Sequence, residues 1–334
     1  MNVLVTGGAG FIGTHTCVEL LKSNHSILVI DNFENSHPEA IKRVETITGK
    51  KVDFKQGDIR DTAFIKNQIT DFKCEAVMHF AGLKAVGESC QNPLKYYDYN
   101  VAGTLSLLQA MQSCNVKKLV FSSSATVYGA PKRLPITEDM ELHTTNPYGR
   151  SKLIVEDILR DLYTSDPSWH IAILRYFNPV GAHKSGLIGE DPIGIPNNLM
   201  PIVAQVASNR REKLSIWGND YPTKDGTGIR DYIHIVDLAI GHLKALENLN
   251  EAQCNAYNLG TGNGYSVLEV IKMFEHISNQ KIEYEIAPRR DGDVAECYAD
   301  PLYAIQQLGW KAERGLREMC EDMWNWQVKN PSGY

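Results

Sequence analysis

Three side chains in the middle of the chain have the types and spacing for proton transfer. Ser124 lies in FSSSATVYG (121–129), and NPYGRSK (146–152) follows with Tyr148 and Lys152 four residues apart. At the start of a helix, that spacing puts Tyr148 and Lys152 on one face. A free tyrosine has a pKa of about 10 and is a poor base at neutral pH. A nearby positive charge favours the phenolate and lowers that value. Ser124 is placed to bridge a substrate hydroxyl and the phenol. The set suits removing a proton from an alcohol. Taken alone, the pair reads more readily as an amphipathic helix carrying an ordinary exposed Tyr and Lys.

A second signal lies at the N-terminus, in VLVTGGAGFIG (3–13). It holds G-x-G-x-x-G at Gly8, Gly10 and Gly13, and also G-x-x-G-x-x-G at Gly7, Gly10 and Gly13. A glycine turn alone says little. This one follows a buried strand and opens a helix, so backbone N–H groups and the positive helix end face an anion, with Phe11 and Ile12 as candidate contacts. The next strand ends in Asp31, 18 residues past Gly13. An acid there accepts both ribose hydroxyls of an adenosine and repels a 2′-phosphate. No arginine follows in DNFENS, whose Asn32, Asn35 and Ser36 are further candidate contacts. The expected cofactor is NAD, not NADP; a loop-capping role is the alternative for Asp31. In GDIR, Asp58 and Ile59 fall where an acid could meet the adenine edge. In HFAGLK, Phe80, Ala81, Gly82 and Lys84 fall beside a pyrophosphate. With NAD in place, the positive nicotinamide joins Lys152 in favouring the Tyr148 phenolate, and Lys152 can hydrogen-bond the nicotinamide ribose.

These residues sit at the ends of recurring apolar runs. VLVT (3–6), ILVI (27–30), AVMHF (76–80), KLVFSS (118–123) and IAILRYF (171–177) read as strands buried on both faces. Helical patterns at 14–23, 100–114 and 149–163 separate them. The alternation predicts parallel βαβ units: an α/β Rossmann-type doubly wound sheet. After about residue 178 the chain turns rich in Gly, Pro and Asn, then returns to strand and helix character at 231–246. The expected division is a dinucleotide-binding domain of 1–178 plus about 231–260. The remainder, about 179–230 and 261–334, is expected to form a smaller, interleaved α/β substrate-binding lobe.

Composition narrows the function classes. The 334 residues are 43% hydrophobic and 22% charged, with a net charge of −6. There is no basic run or aromatic-rich basic stripe, which argues against nucleic acid as a partner. No apolar run reaches membrane-spanning length, and polar Asn2 stands where a signal peptide has its basic region. Seven widely spaced cysteines without a C-x-x-C pair suit free thiols in a reducing cytoplasm. The ten histidines show no metal-ligand spacing, so no metal is expected.

Nearly end to end, the chain resembles the extended short-chain dehydrogenase/reductases, and among them the UDP-glucose 4-epimerase (UDP-galactose 4-epimerase) family. VTGGAGFIG, GDIR, SSSATVYG and NPYGRSK mark the superfamily. HFAGLKAVGES, a cofactor motif, goes with them, while LRYFNPVGAH, GEDPIGIPNNLMP, DGTGIRDYIHIVDLA, YNLGTG and APRRDGD are specific to the epimerases. The resemblance implies tightly held NAD, a homodimer and UDP-hexose substrates. It assigns Asn178, Asn198, Leu199, Trp217, Gly218, Arg230, Tyr232, Arg290 and Asp293 to the UDP-sugar site, with Ser124, Thr126 and Tyr148 at the sugar. Arginines suit a diphosphate bidentately. Tyr176 and Phe177 would lie near the nicotinamide.

The implied reaction takes a proton from the sugar 4-hydroxyl to Tyr148 while hydride passes from C4 to NAD. The 4-keto sugar then turns over, and hydride returns to the opposite face. Two departures stand out. Where some bacterial members have paired Asn, this chain reads DYNVAGT, so Tyr99 replaces the first and Asn100 keeps the second. Cys297 occupies a position that the family describes as a gate: a bulky Tyr there restricts members to plain UDP-hexoses, and a small residue admits 2-N-acetyl sugars. The nearest rival is a nucleotide-sugar 4,6-dehydratase, which resembles this chain but adds an Asp-Glu pair where it has Ala125-Thr126. A non-catalytic NAD-binding regulator is the rival from another class.

Overall fold

The computed structural model describes residues 1–194, 196–290 and 292–334. Ile195 and Asp291, which fall inside two of the epimerase-specific blocks, lie outside the described residues.

Thirteen strands are described. They are β1 (Asn2–Thr6), β2 (Ser26–Asp31), β3 (Asp53–Gln56), β4 (Ala76–His79), β5 (Lys118–Ser124) and β6 (His170–Tyr176). There follow β7 (Asn178–Val180), β8 (Leu214–Trp217), β9 (Ile229–His234), β10 (Gln253–Leu259), β11 (Gly264–Ser266), β12 (Tyr284–Ala287) and β13 (Glu296–Cys297). The α-helices begin with α1 (Phe11–Lys22), α2 (Pro38–Thr48), α3 (Thr62–Asp71), α4 (Val86–Gln91), α5 (Pro93–Tyr96) and α6 (Gly103–Ser113). They continue with α7 (Pro147–Ser165), α8 (Leu199–Ala207), α9 (Ile235–Glu247), α10 (Val267–Ser278), α11 (Leu302–Leu308) and α12 (Leu316–Lys329).

The first compact unit comprises residues 1–129, 141–176 and 239–257. Its sheet has the order β10-β6-β5-β4-β1-β2-β3, and every pair from β3 through to β6 is parallel. The order reverses between β1 and β4, so the carboxyl ends of those strands open a crevice for a ligand. The runs expected to be strands are buried because helices cover both faces: Leu4, Ile30, Val77, Leu119 and Ile171 join Leu107, Val155 and Leu159 in one core. The helical pattern at 100–114 resolves into two pieces. Residues 97–102 form a π-helical turn, and α6 proper starts at Gly103. Such a turn often marks a functional position, and here it carries Asn100.

The second unit comprises 130–140, 177–238 and 258–334. Strand β9 is its centre: β7 and β13 pair with it in parallel and β11 antiparallel. Strands β8 and β12 form a separate parallel pair. Val203, Phe274, Met319, Met323 and Trp326 make its core. The division differs from the expected one in two places. Residues 231–238 go with this unit because, among the described residues, β9 pairs with its strands β7, β11 and β13. Residues 130–140 join it because the Ile136 N–H bonds the Tyr298 carbonyl and the Asp300 N–H bonds the Ile136 carbonyl. Hydropathy marks β9 as a buried strand but says nothing about which sheet takes it.

Candidate active site

The glycine turn connects β1 to α1, and its glycines have different jobs. Gly7 has φ +70°, and a Cβ there would lie 2.6 Å from the Ala81 nitrogen. A Cβ on Gly13 would lie 2.4 Å from the Gly7 carbonyl oxygen. Both are glycine because the turn, β4's exit and α1 meet backbone to backbone. Gly10 is unlike them. Its backbone is ordinary extended conformation and a Cβ would meet only the Gly7 oxygen, at 3.4 Å. Gly10 is the N-cap of α1 and offers no side-chain cap, so the first N–H groups of the helix, at Phe11 and Ile12, face outward. A bare N-cap on a twelve-residue helix fits a diphosphate. The residues therefore fit a dinucleotide.

Asp31 closes β2 as expected and is buried. Its Oδ2 accepts from the Ala9 N–H at 3.0 Å; its Oδ1 accepts from the Phe33 N–H at 2.9 Å and the Ser36 hydroxyl at 2.8 Å. It thus staples the glycine turn to the loop after β2, which is the loop-capping alternative, and keeps acceptor capacity besides. Asn32 donates to Asp58 at 3.0 Å. Arg60 grips Asp58 with its Nε and Nη2, and this holds the carboxyl near 2. Arg60 also stacks on Tyr99, 3.9 Å from the ring centroid. Ile59 is core, packed where Gly103 leaves room.

Phe80, Ala81, Gly82 and Lys84 follow β4 in a loop, and Asn100 fastens that loop. Its amide accepts from the Leu83 N–H at 2.8 Å and donates to the Leu83 carbonyl at 3.0 Å and to Ser151 at 2.9 Å. These bonds use both N–H donors of the side chain. The structure therefore places Asn100 behind the loop, shaping it.

The catalytic candidates converge as the spacing predicts. Asn146 caps α7 by accepting from the Gly149 N–H at 2.8 Å, with Pro147 at the first helical position. A cap of this kind contributes about 1 kcal/mol and fixes the phase of Tyr148 and Lys152. Ser124 ends β5. Its oxygen accepts from the Thr126 N–H at 3.2 Å and hydroxyl at 3.0 Å. With its lone pairs so used, the Ser124 proton points at the Tyr148 phenol, and this bond favours the phenolate. Burial of Tyr148 opposes it and wins, leaving the phenol above its ordinary value. Lys152 is buried, donates to the Ser122 carbonyl at 2.7 Å, and is pushed down to about 8 by desolvation. The Ser124 bond is the contribution that opposes burial at the phenol.

In the second unit, Arg230, Arg290 and Asp293 form a charged cluster. The Arg290 Nε donates to Asp293 at 2.9 Å, and the Arg230 Nη2 lies 3.7 Å from the same carboxylate. The Arg290 guanidinium lies 5.7 Å from the Trp217 ring centroid, and Trp217 is 44% exposed, unusual for so large an apolar ring. Gly218 has φ +87°, and a Cβ there would strike Tyr221 at 2.7 Å. Cys297 is the register partner of Arg230, and Asn178 that of Tyr232. The Tyr298 ring lies the other way, toward Gly264. Asn198 stands at the N-cap position of α8 without capping it and donates to Glu190 at 2.7 Å; Leu199 begins that helix. Phe177 is buried beside β10, its N–H bonding the Leu259 carbonyl at 3.3 Å.

Relatives of this chain are known. A UDP-glucose 4-epimerase of Bacillus subtilis is 61% identical over all of this chain and 99% of its own. The chain belongs to the UDP-glucose 4-epimerase family. Another such epimerase, of Haemophilus influenzae, is 58% identical over 100% of this chain and 99% of its own. The crystal structure of the UDP-glucose 4-epimerase from Bifidobacterium longum in complex with NAD+ and UDP superposes with a TM-score of 0.98, at 56% identity and full coverage of both chains. The family model described as GDP-mannose 4,6 dehydratase matches residues 4–323.

Sequence reasoning missed several residues here. Glu156, Arg175, Ser122 and Ser123 form the buried backing of the catalytic set. Asp231 accepts from the Thr261, Gly262 and Ala299 N–H groups and the Thr261 hydroxyl. A signal was present for Glu156: it is a lone carboxylate four residues after Lys152, on the buried face of α7.

Proposed function

We propose that the protein interconverts UDP-glucose and UDP-galactose by NAD-dependent inversion at C4. The observation that carries this reading is the Ser124–Tyr148 hydrogen bond beside Lys152, in a chain whose full length matches the epimerase family. Bound NAD supplies a hydride acceptor at C4 and the positive charge of its oxidised ring. The N–H groups of Phe11 and Ile12 hold its diphosphate, and Asp31 meets the adenosine ribose. Tyr148 accepts the proton of the sugar 4-hydroxyl, and Ser124 orients both oxygens. Lys152 stabilises the phenolate that forms. On return, Tyr148 delivers the same proton to the 4-oxygen after the sugar has turned over.

Inversion requires the nucleotide to be held firmly and the sugar loosely, so that both faces of C4 can be offered. Arg230, Arg290, Asp293, Asn178, Asn198, Leu199, Trp217, Gly218 and Tyr232 are assigned to the UDP-sugar, with Thr126 beside Ser124. Phe177 is assigned to the cofactor with Asn32, Asn35, Ser36, Asp58, Lys84 and Asn100. The Asn100 role is indirect, through the loop it fastens.

Cys297 supports a wider substrate range that includes UDP-N-acetylglucosamine and UDP-N-acetylgalactosamine. A thiol leaves room for a turning acetamido group where a phenol would clash, and the phenol of the next residue, Tyr298, lies toward Gly264. A homodimer in a reducing cytoplasm is the expected setting; the cysteines among the described residues are all free thiols. No described helix is long and apolar enough to cross a membrane.

The test is product chromatography after incubating the purified protein with UDP-galactose, without added electron acceptor, and in parallel with UDP-N-acetylgalactosamine. The 4-epimers are the expected products. Accumulating NADH, or no conversion of UDP-galactose, would overturn the assignment. Loss of the acetamido arm alone would overturn only the wider range.

A further inference from the structure

Behind the catalytic serine lies a charge cluster that the reaction as derived does not use. Glu156 follows Lys152 by one helical turn on α7 and is fully buried. Its Oε1 accepts from the Ser123 hydroxyl at 2.6 Å and the Arg175 Nε at 3.0 Å. Its Oε2 accepts from the Arg175 Nη2 at 2.6 Å and the Arg160 Nη2 at 2.6 Å. Arg175 is itself buried on β6 and bonds the Tyr128 hydroxyl at 2.9 Å; Arg160 is half-exposed on α7.

Four donors on a fully buried carboxylate are more than fold stability asks for, since an apolar set of the same shape would cost no desolvation. The cluster's neighbours suggest another use. Ser122, Ser123 and Ser124 end β5 in sequence. The first gives its carbonyl to Lys152, the second its hydroxyl to Glu156, and the third bonds Tyr148. Every element around the Lys152 ammonium is otherwise neutral or positive. From β5 come the Ser122 carbonyl and the Phe121 ring, 5.0 Å away. From β4 comes His79, which burial keeps neutral, held between Thr6 and Thr104. The loop after β4 brings Gly82, and α7 itself brings Tyr148. Arg175 and Arg160 stand beyond Glu156. Its carboxylate is the charge that favours the ammonium.

We propose that Glu156 is a positioning residue for the reaction: locked by Arg175, Arg160 and Ser123, its carboxylate keeps Lys152 protonated while fixing the strand end that carries Ser124. The inference rests on the epimerase reading for the meaning of Lys152. Without the Glu156 carboxylate, nothing offsets the desolvation of Lys152, and the ammonium would give up its proton at lower pH. The catalytic phenolate would then lose its counter-charge.

The experiment compares wild type, Glu156→Gln and Arg160→Gln as NAD-containing holoenzymes. The first readout is the pH dependence of kcat with UDP-galactose. The second is the pH titration of the Lys152 side-chain carbon by NMR, assigned as the resonance missing from Lys152→Arg. Glu156→Gln is expected to move the Lys152 titration and the alkaline limb of kcat to lower pH by about one unit, a tenfold loss of proton affinity. Arg160→Gln removes a positive charge beyond Glu156 at a half-exposed site and should move both to higher pH, by a few tenths of a unit. A merely structural Glu156 would lower the melting temperature and leave both titrations in place, which would overturn the proposal. If Glu156→Gln does not fold, the Arg160→Gln shift decides: an upward move supports the proposal and no move refutes it. Inactive wild type with the expected NMR shifts would overturn the epimerase reading and leave the role of Glu156 standing.

Discussion

Ser124 donates its hydroxyl proton to the Tyr148 phenol because Thr126 occupies the serine oxygen from the other side. This bond stabilises the phenolate against the burial that pushes the phenol up. The active form of Tyr148 is the deprotonated one, so activity rises as pH rises through the phenol's pKa. Removing the bond in Ser124→Ala leaves burial unopposed. The acid limb of kcat should therefore move to higher pH, along with a loss of rate at neutral pH. A pH-rate profile checks it, and an unmoved limb would contradict the hydrogen-bond direction.

Tyr148→Phe keeps the ring and removes the proton carrier. A positioned general acid–base contributes about 10²–10⁴-fold, and a loss of that size in kcat is expected while NAD remains bound. Turnover assays together with the absorbance of released cofactor separate the two effects.

The glycine turn offers a paired test. Gly13→Ala would drive a Cβ to 2.4 Å from the Gly7 oxygen and 2.7 Å from the Gly8 Cα. Backbone cannot yield there, so the melting temperature should fall sharply. Gly10→Ala meets nothing closer than 3.4 Å and keeps an allowed backbone conformation. It should fold normally and lose NAD on gel filtration. Retained NAD in Gly10→Ala would mean that the open side of the turn does not face the diphosphate.

For Asp31→Ala, weaker cofactor retention is expected, by roughly 1.5–3 kcal/mol for hydrogen bonds to a charged group. The protein should also lose thermal stability, since the carboxylate holds Ala9, Phe33 and Ser36. Titration of NAD into stripped protein gives the first quantity and a melting curve the second.

Cys297→Tyr places a phenol beside Arg230, its register partner. Activity on UDP-N-acetylgalactosamine should fall far more than activity on UDP-galactose. Parallel kcat/KM measurements on the two substrates check this, and equal losses would show that Cys297 does not set the width of the sugar site.

The sequence by itself determined the parts of this protein that depend on local spacing. Glycines at 7, 10 and 13 between a strand and a helix make one kind of turn, because Gly7 and Gly13 stand where backbone meets backbone and Gly10 leaves the helix start bare. Tyr148 and Lys152 share a face because a helix has 3.6 residues per turn. The buried parallel strands announce themselves because helices on both sides leave no solvent-facing position. What only the tertiary structure decided is which distant groups meet. Asn100 turns out to brace the loop at Leu83, Arg60 holds Asp58, and β9 belongs with β7, β11 and β13. Glu156 meets Arg175 across two elements. A buried charge is tolerable only where its partners converge, and that convergence is set by packing in three dimensions, which no periodicity along the chain records.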